Sequence, residues 1–381
     1  YKECKGVPKS NGLTKEQRLS LQMDEFMNRR YEFRYNTQIG EVEYRERFSF
    51  QFYFHPIDKR AQNSIMLDAQ SEGIGVWDRD IDRYLHSNRV PIYNPLEEFL
   101  FHLPHWDGKD RIHALANRVP CKNPHWELLF HRWFLNMVSH WRGVDKMHAN
   151  NTSPILVGRQ GTHKSTFCRE MIPPALRAYY TDSIDFSQKR DAELYLNRFA
   201  LINIDEFDQI TLPQQGFLKH ILQKPVVNLR NASFIGTSNQ KDLLTDPSGS
   251  RRFICIEVTG NIDTTQPIDY EQLYAQAIHE IYHGERYWFD SEDEQIMTEN
   301  NREFEQTPAM LQLFYQYFKA AQTKEEGEFL TPVEILNYLK KKSGMSLSDN
   351  KVYHFGRLLQ KCGIPSKHTY KGTVYQVIKL S

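Results

Sequence analysis

The sequence predicts an α/β protein with a largely parallel sheet, on three observations. Short apolar runs of strand length recur at Pro154–Val157, Ala200–Ile204, Ser233–Gly236 and Phe253–Val258. Helical patterns separate several of them, and strands alternating with helices pack as a parallel sheet. The first run leads into a helix that ends at Pro173-Pro174, where a helix cannot continue.

Before these strands, residues 1–47 are polar and weakly patterned. Short helical patterns run from about Pro56 to Leu115 and end in the aromatic stretch Tyr93–Pro95, Pro104 and Trp106–Gly108. Residues 1–115 are therefore predicted to be mostly helical. In the run His125–Trp141, Trp126, Leu129, Phe130, Trp133, Phe134, Met137 and Trp141 fall at helical spacing, which marks a core-facing stripe. The sheet-bearing domain is expected over 116–304.

After about residue 305 the pattern changes to helix, acidic linker (Lys324–Glu328), helix, helix and hairpin, a third domain over 305–381. Thr331-Pro332 starts a helix with Val333, Ile335, Leu336 and Leu339 on its apolar face. A second helix is expected from about Asp349 to Lys361, then strands at Lys367–Tyr370 and Thr373–Ile378. This order suggests a winged helix. From Leu330 onward eight Lys and one Arg face only Glu334 and Asp349, a local excess suited to phosphate contacts. A protein-docking winged helix with a solvated basic face is the alternative.

Composition narrows the function classes. Lys+Arg and Asp+Glu both number 48, so no global charge drives the chain to nucleic acid. Cys4, Cys121, Cys168, Cys255 and Cys362 are scattered, with no zinc or disulfide spacing, which fits a reducing cytoplasm. No apolar run reaches the length of a membrane span, and no signal peptide is visible. The chain starts at Tyr1 rather than methionine, as expected of a fragment.

Three segments carry chemistry. Gly158-Arg-Gln-Gly161-Thr162-His163-Lys164-Ser165-Thr166 follows the first strand and opens a helix. Such a loop turns backbone N–H groups toward phosphates at a helix N-terminus. Lys164 reaches the outer phosphates and the Ser165 hydroxyl ligates Mg²⁺, making ATP and Mg²⁺ the expected cofactors. His163 stands where glycine is usual, so its side chain either narrows the loop or touches a phosphate. Next, Phe199-Ala-Leu-Ile-Asn203-Ile-Asp205-Glu206 is an apolar strand ending in two carboxylates, a costly place for charge unless it has a task. Asp205 suits a metal held through water and Glu206 the activation of the attacking water. Last, Ser233–Gly236 continues to Thr237-Ser238-Asn239, where Asn239 can bond the attacking water or the γ-phosphate. Asp246-Pro-Ser-Gly-Ser-Arg251-Arg252 then turns into the final strand. Adjacent arginines on an extended segment point opposite ways. One can pair internally while the other faces a neighbouring subunit's ATP, or both are ordinary surface charges.

GRQGTHKST, LINIDEFD, GTSNQ and LTDPSGSRRF, in this order and spacing, resemble the virulence-associated protein E family, ATPases of phages, genomic islands and mobile elements. That family is similar to the superfamily 3 helicases, hexameric AAA+ motors of viral and plasmid replication. Tyr93–Ile112 also looks like the segment preceding the motor in the family. The resemblance covers about residues 90–260. It implies a P-loop AAA+ core between a helical N-terminal region and a winged-helix-like domain. It also implies ATP-driven translocation on single-stranded or forked DNA, a homo-oligomer of hexamer type, a bacterial or phage-encoded origin and a possible link to a primase module, although no primase site is evident. Superfamily 3 motors carry a DNA-binding hairpin before the sensor strand. Val226-Val-Asn-Leu-Arg230-Asn231 leaves little room for one, so either the hairpin is lacking or its residues are missing from this chain, with Arg230 at its base. Arg230, Lys351, Arg357, Lys367 and Lys371 are the expected DNA contacts. An AAA+ ATPase without unwinding activity and a degenerate nucleotide-binding scaffold remain the competing readings.

Overall fold

The computed structural model describes residues 12–380, apart from 51, 144–147, 149, 224–231, 245–246, 306–308, 322–326, 345–351 and 371. The chain divides into two compact units, residues 1–303 and 304–381.

The first unit is mixed α/β. Its central sheet holds β5 (Ser153–Val157), β6 (Tyr180–Thr181), β7 (Leu201–Ile204), β8 (Ser233–Ser238) and β9 (Phe253–Glu257), in the order β6-β7-β8-β5-β9 and parallel throughout. Every residue of β5, β7 and β8 is buried. A parallel sheet covered on both faces demands such continuous apolar runs rather than alternation. The register sets Ile204 against Gly236, and Val157 against Ser238. The C-terminal ends of β5, β7 and β8 therefore finish at one edge.

Helix Trp126–Trp141 supplies the core against this sheet. The seven residues of its predicted stripe are all buried, and so are most of the others. Trp141 stacks on Tyr274 of helix Tyr270–Tyr282 with ring centroids 5.4 Å apart. Its indole N–H donates to the Ala200 carbonyl at 3.1 Å, just before β7. Burial of both the ring and its polar handle makes such a residue worth about 3–5 kcal/mol on truncation.

Ahead of this core lies a second sheet that the polar appearance of residues 1–47 concealed. β1 (Tyr31–Asn36), β2 (Glu41–Glu46), β3 (His55–Pro56) and β4 (Ile92–Tyr93) run in the order β3-β2-β1-β4. β1 pairs antiparallel with β2 and parallel with β4. Opposite charges face each other across the hairpin: Arg34 bonds Glu43 at 2.6 Å, and Arg45 bonds Glu32. Such cross-strand pairs suit a half-buried surface, and they explain why the strands look polar. Helices still form most of the regular structure before residue 115. Asn36 ties this sheet to the core by donating to the Tyr179 hydroxyl at 2.8 Å.

In the second unit, helix Ala309–Tyr317 leads to β10 (Phe318–Ala320) and β11 (Glu328–Leu330). Helices Pro332–Ser343 and Val352–Lys361 follow, then β12 (Ser366–Thr369) and β13 (Gly372–Lys379). β13 pairs antiparallel with the other three strands. Thr331 caps its helix with Glu334 in a reciprocal capping box. Ile335, Leu336 and Leu339 are buried as predicted, but Val333 is 48% exposed. Val333 occupies the first turn, ahead of the stripe that meets Phe314 and Phe355 in the core. The second helix begins at Val352, later than its predicted start, and 345–351 lie outside the described residues. Among the described residues no helix is long and apolar enough to cross a membrane.

Candidate functional site

The shared edge of β5, β7 and β8 gathers most of the predicted residues. Gly158 leaves β5 with its N–H donating to the Ser238 carbonyl at 3.0 Å. A Cβ on Gly158 would lie 3.0 Å from the Val258 carbonyl oxygen and 3.2 Å from the Val258 Cβ, so the close approach to the neighbouring chain needs glycine. Gly161 takes a φ of +83°. Thr162 closes the turn, its hydroxyl donating to the Arg159 carbonyl at 2.9 Å. His163 follows at φ 65°, ψ 22° in the left-handed region, directly before helix Lys164–Glu170. Glycine is favoured there because a side chain in that conformation costs of order 1–3 kcal/mol. His163 is exposed, and so is Thr166 on the first turn of the helix.

Lys164 is buried and folds back into the loop. Its ammonium donates to the Gly158 and Arg159 carbonyls, both at 2.8 Å, and to Asn239 Oδ1 at 3.3 Å. Burial lowers its pKa below the usual lysine value, against the opposing pull of Asp205 and Asp208. Asn239 at the end of β8 therefore meets the loop lysine. The Ser165 hydroxyl donates to Asp205 Oδ1 at 3.2 Å, and the Thr237 hydroxyl donates to the same oxygen. A hydroxyl and a carboxylate oxygen side by side are the hard donors that Mg²⁺ prefers. Among the described residues there is no cluster of three or more metal-ligating side chains.

The expectation that Asp205 and Glu206 are charges desolvated at a buried strand end is corrected. β7 ends at Ile204, and both carboxylates are exposed. They line a pocket of about 180 Å³ together with Asp182, Asp185 and Gln214. The unusual feature is conformational instead: Glu206 has φ 52°, ψ 49°, left-handed without being glycine.

The arginine pair also differs from expectation. Arg251 and Arg252 end a 3₁₀ turn, Pro247–Arg252, rather than lying on an extended segment, so strict alternation does not govern them. The turn is tied to helix Ser291–Asn301. Arg251 bonds Glu294 at 3.0 Å, and the buried Asn301 amide donates to the Ser250 and Phe253 carbonyls at 2.7 Å each. Arg252 is half-buried. A groove of about 890 Å³ lies between residues 92–106 and helix Tyr270–Tyr282 and includes none of the predicted site residues.

Of the expected DNA contacts, Arg230, Lys351 and Lys371 lie outside the described residues. Arg357 is exposed on helix Val352–Lys361. Lys367 is exposed on β12 with its ammonium 3.4 Å from the Phe329 ring centroid. Thr237, Ser238 and Asp208 touch the site but were passed over in the sequence. Their signal is hydroxyls at the end of a buried strand whose neighbour ends in carboxylates.

Residues 100–306 match the sequence profile of the virulence-associated protein E-like domain. Residues 307–377 match a profile described as a domain of unknown function from B. Theta. A search of curated proteins finds no match. Among solved structures, the apo NrS-1 C-terminal region aligns at 11% identity over 94% of this chain and 98% of that chain, with a TM-score of 0.48. Its A form gives a TM-score of 0.47 at the same identity and coverage. Drosophila ORC bound to AT-rich DNA and Cdc6 aligns at 13% identity over 79% of this chain and 94% of that chain, with a TM-score of 0.22. Likenesses this distant carry no argument about function.

Proposed function

We propose that this chain, which belongs to the virulence-associated protein E-like family, is an ATP-hydrolysing, AAA+-type motor acting on DNA in the replication of a phage, plasmid or genomic island. One observation carries the reading: at one sheet edge Lys164 bonds Asn239 at 3.3 Å and the next residue, Ser165, bonds Asp205 at 3.2 Å. That is the arrangement needed to neutralise a triphosphate, hold its metal and report on the outermost phosphate.

In this reading the Gly158–Thr166 loop cradles the phosphates. Lys164 must first exchange the Gly158 and Arg159 carbonyls for phosphate oxygens. Ser165 and Asp205 are the residues that would hold magnesium, which would supply Lewis-acid charge to the phosphates. Glu206 orients and deprotonates water from the exposed side. Arg251 and Arg252 are the candidates for completing a neighbouring subunit's site, with Arg251 first releasing Glu294. The motor then works as an oligomer, of hexamer type. The second unit is read as a winged-helix-like module whose Arg357 and Lys367 meet DNA phosphates.

The deciding experiment is ATP turnover with and without single-stranded DNA, for the wild type and Lys164→Ala. The expected result is DNA-stimulated turnover that Lys164→Ala abolishes, and undiminished turnover by that variant refutes the loop assignment. Strand displacement on a forked duplex then separates a helicase from an ATPase without unwinding activity. Arg251→Ala/Arg252→Ala mixed with Lys164→Ala should regain hydrolysis if the arginines act in trans.

A further inference from the structure

The left-handed backbone at Glu206 is held by its neighbours on both sides, and three consecutive residues of one strand, β8, meet those neighbours. Asp205, before it, accepts the Thr237 hydroxyl. Phe207, after it, is fully buried beside Gly236, where an added Cβ would lie 3.5 Å from the Phe207 ring, 3.2 Å from the Ile204 carbonyl and 2.8 Å from Ile155 Cδ1. Asp208 Oδ1 lies 2.8 Å from the Ser238 hydroxyl. That hydroxyl is also 2.8 Å from the Gln240 carbonyl, and the charged acceptor forms the stronger bond. The Glu206 carbonyl itself closes the turn by accepting the Gln209 N–H at 2.8 Å. Gly236, Thr237 and Ser238 are consecutive at the end of β8, beside β7 in the sheet. Successive strand side chains point to opposite faces. The Thr237 and Ser238 hydroxyls thus reach the acidic turn from two sides of the strand. A strained residue persists only where its surroundings over-determine it, and here they do.

We propose that Thr237 and Ser238 are positioning residues that set the Glu206 carboxylate for the attacking water, acting through Asp205 and Asp208. The inference rests on the reading of the site as an ATPase. Removing the hydroxyls leaves Asp205 with Ser165 alone and Asp208 with the adjacent Gln209 alone, and the backbone of Glu206 relaxes toward right-handed conformations. The carboxylate then swings off the line of attack while the phosphate loop, which is built on β5, stays as it is. The clamp also links β8, which ends in Asn239, to the turn that carries the base. A shift of the sensor strand is thereby transmitted to Glu206.

Two measurements test this. In the first, Thr237→Val and Ser238→Ala are assayed for kcat and for nucleotide affinity, with Thr237→Ser and Ser238→Thr as hydroxyl-retaining controls. The clamp predicts kcat lower by about 10- to 10²-fold, the scale of a roughly 1 Å misplacement, with affinity for magnesium-free nucleotide unchanged and kcat restored in the controls. Full kcat in both hydroxyl-free variants overturns it, and so does an equal loss in the controls. The second measurement does not need hydrolysis. Glu206→Gly should raise the unfolding temperature, because glycine adopts the left-handed backbone freely. In the Thr237→Val/Ser238→Ala background that gain should shrink, because the released turn is no longer strained. An undiminished gain overturns the clamp even if the wild type proves inactive. Inactivity of the wild type alone counts against the ATPase reading and leaves the second result to decide the clamp.

Discussion

His163 and Glu206 are the two non-glycine residues with positive φ among the described residues, and both stand in loops that leave the same sheet edge. Their supports differ. Glu206 sits in a turn bonded through its flanking aspartates to β8. His163 makes no side-chain cap to its helix, and its loop closes instead on the Lys164 ammonium through the Gly158 and Arg159 carbonyls. The strain at Glu206 is therefore locked by the sheet. The strain at His163 depends on the Lys164 bonds, which under the proposed function are exchanged for phosphate. On that proposal, one loop stays and the other changes.

The largest expected effect separates the two by chemistry. Glu206→Gln should retain nucleotide binding but hydrolyse about 10²–10⁴-fold more slowly, the usual contribution of a general base. His163→Gly, measured beside it in single-turnover assays, should hydrolyse at close to the wild-type rate. A comparable loss at His163 would make its ring part of the phosphate site and erase the contrast.

Stability sharpens it next. His163→Gly should stabilise the ligand-free protein by about 1 kcal/mol, the low end of the cost of a left-handed side chain. Urea unfolding with and without a non-hydrolysable ATP analogue reads this. The gain should differ between the two conditions, because the loop changes its bonds when phosphate enters. Equal gains would mean that the loop is as rigidly held as the Glu206 turn.

The smallest effect concerns the ammonium that closes the loop. Burial lowers the Lys164 pKa in the folded chain below its unfolded value of 10.5. Between the two values the unfolded chain binds more protons, so folding stability should rise with pH across that window. In Lys164→Met that rise should be missing. Unfolding temperatures from pH 8 to 10.5 compare the two proteins, and parallel curves would show that Lys164 is not desolvated.

Much of the site was legible because it is local. A glycine loop between strand and helix, carboxylates after LINI and an asparagine after the FIGTS run each announce themselves within a few residues. The parallel sheet was legible because strands buried on both faces are mostly apolar, and β5, β7 and β8 are buried throughout with apolar centres. The β1–β2 hairpin was not, although YEFRYN and EVEYRE alternate around a TQIG turn. Its charges find partners only across the ladder, and one strand read by itself looks like solvated chain.

The sequence by itself determined which chemical groups stand at the ends of which strands, because strand burial and loop composition are properties of short segments. It also determined that Trp126–Trp141 is core, since its apolar residues recur at the helical period. Strand order was left to the tertiary structure. By setting β8 between β7 and β5, the fold brought Asn239 to Lys164 and Thr237 to Asp205, across 75 and 32 residues of chain. It also decided that the arginines end a 3₁₀ turn tied to Glu294 and Asn301, and that Glu206 is left-handed. The physical reason is the same in each case. A backbone conformation that costs free energy locally is stable only where distant groups supply the bonds that hold it, and the identity of those groups depends on the order in which the strands pack.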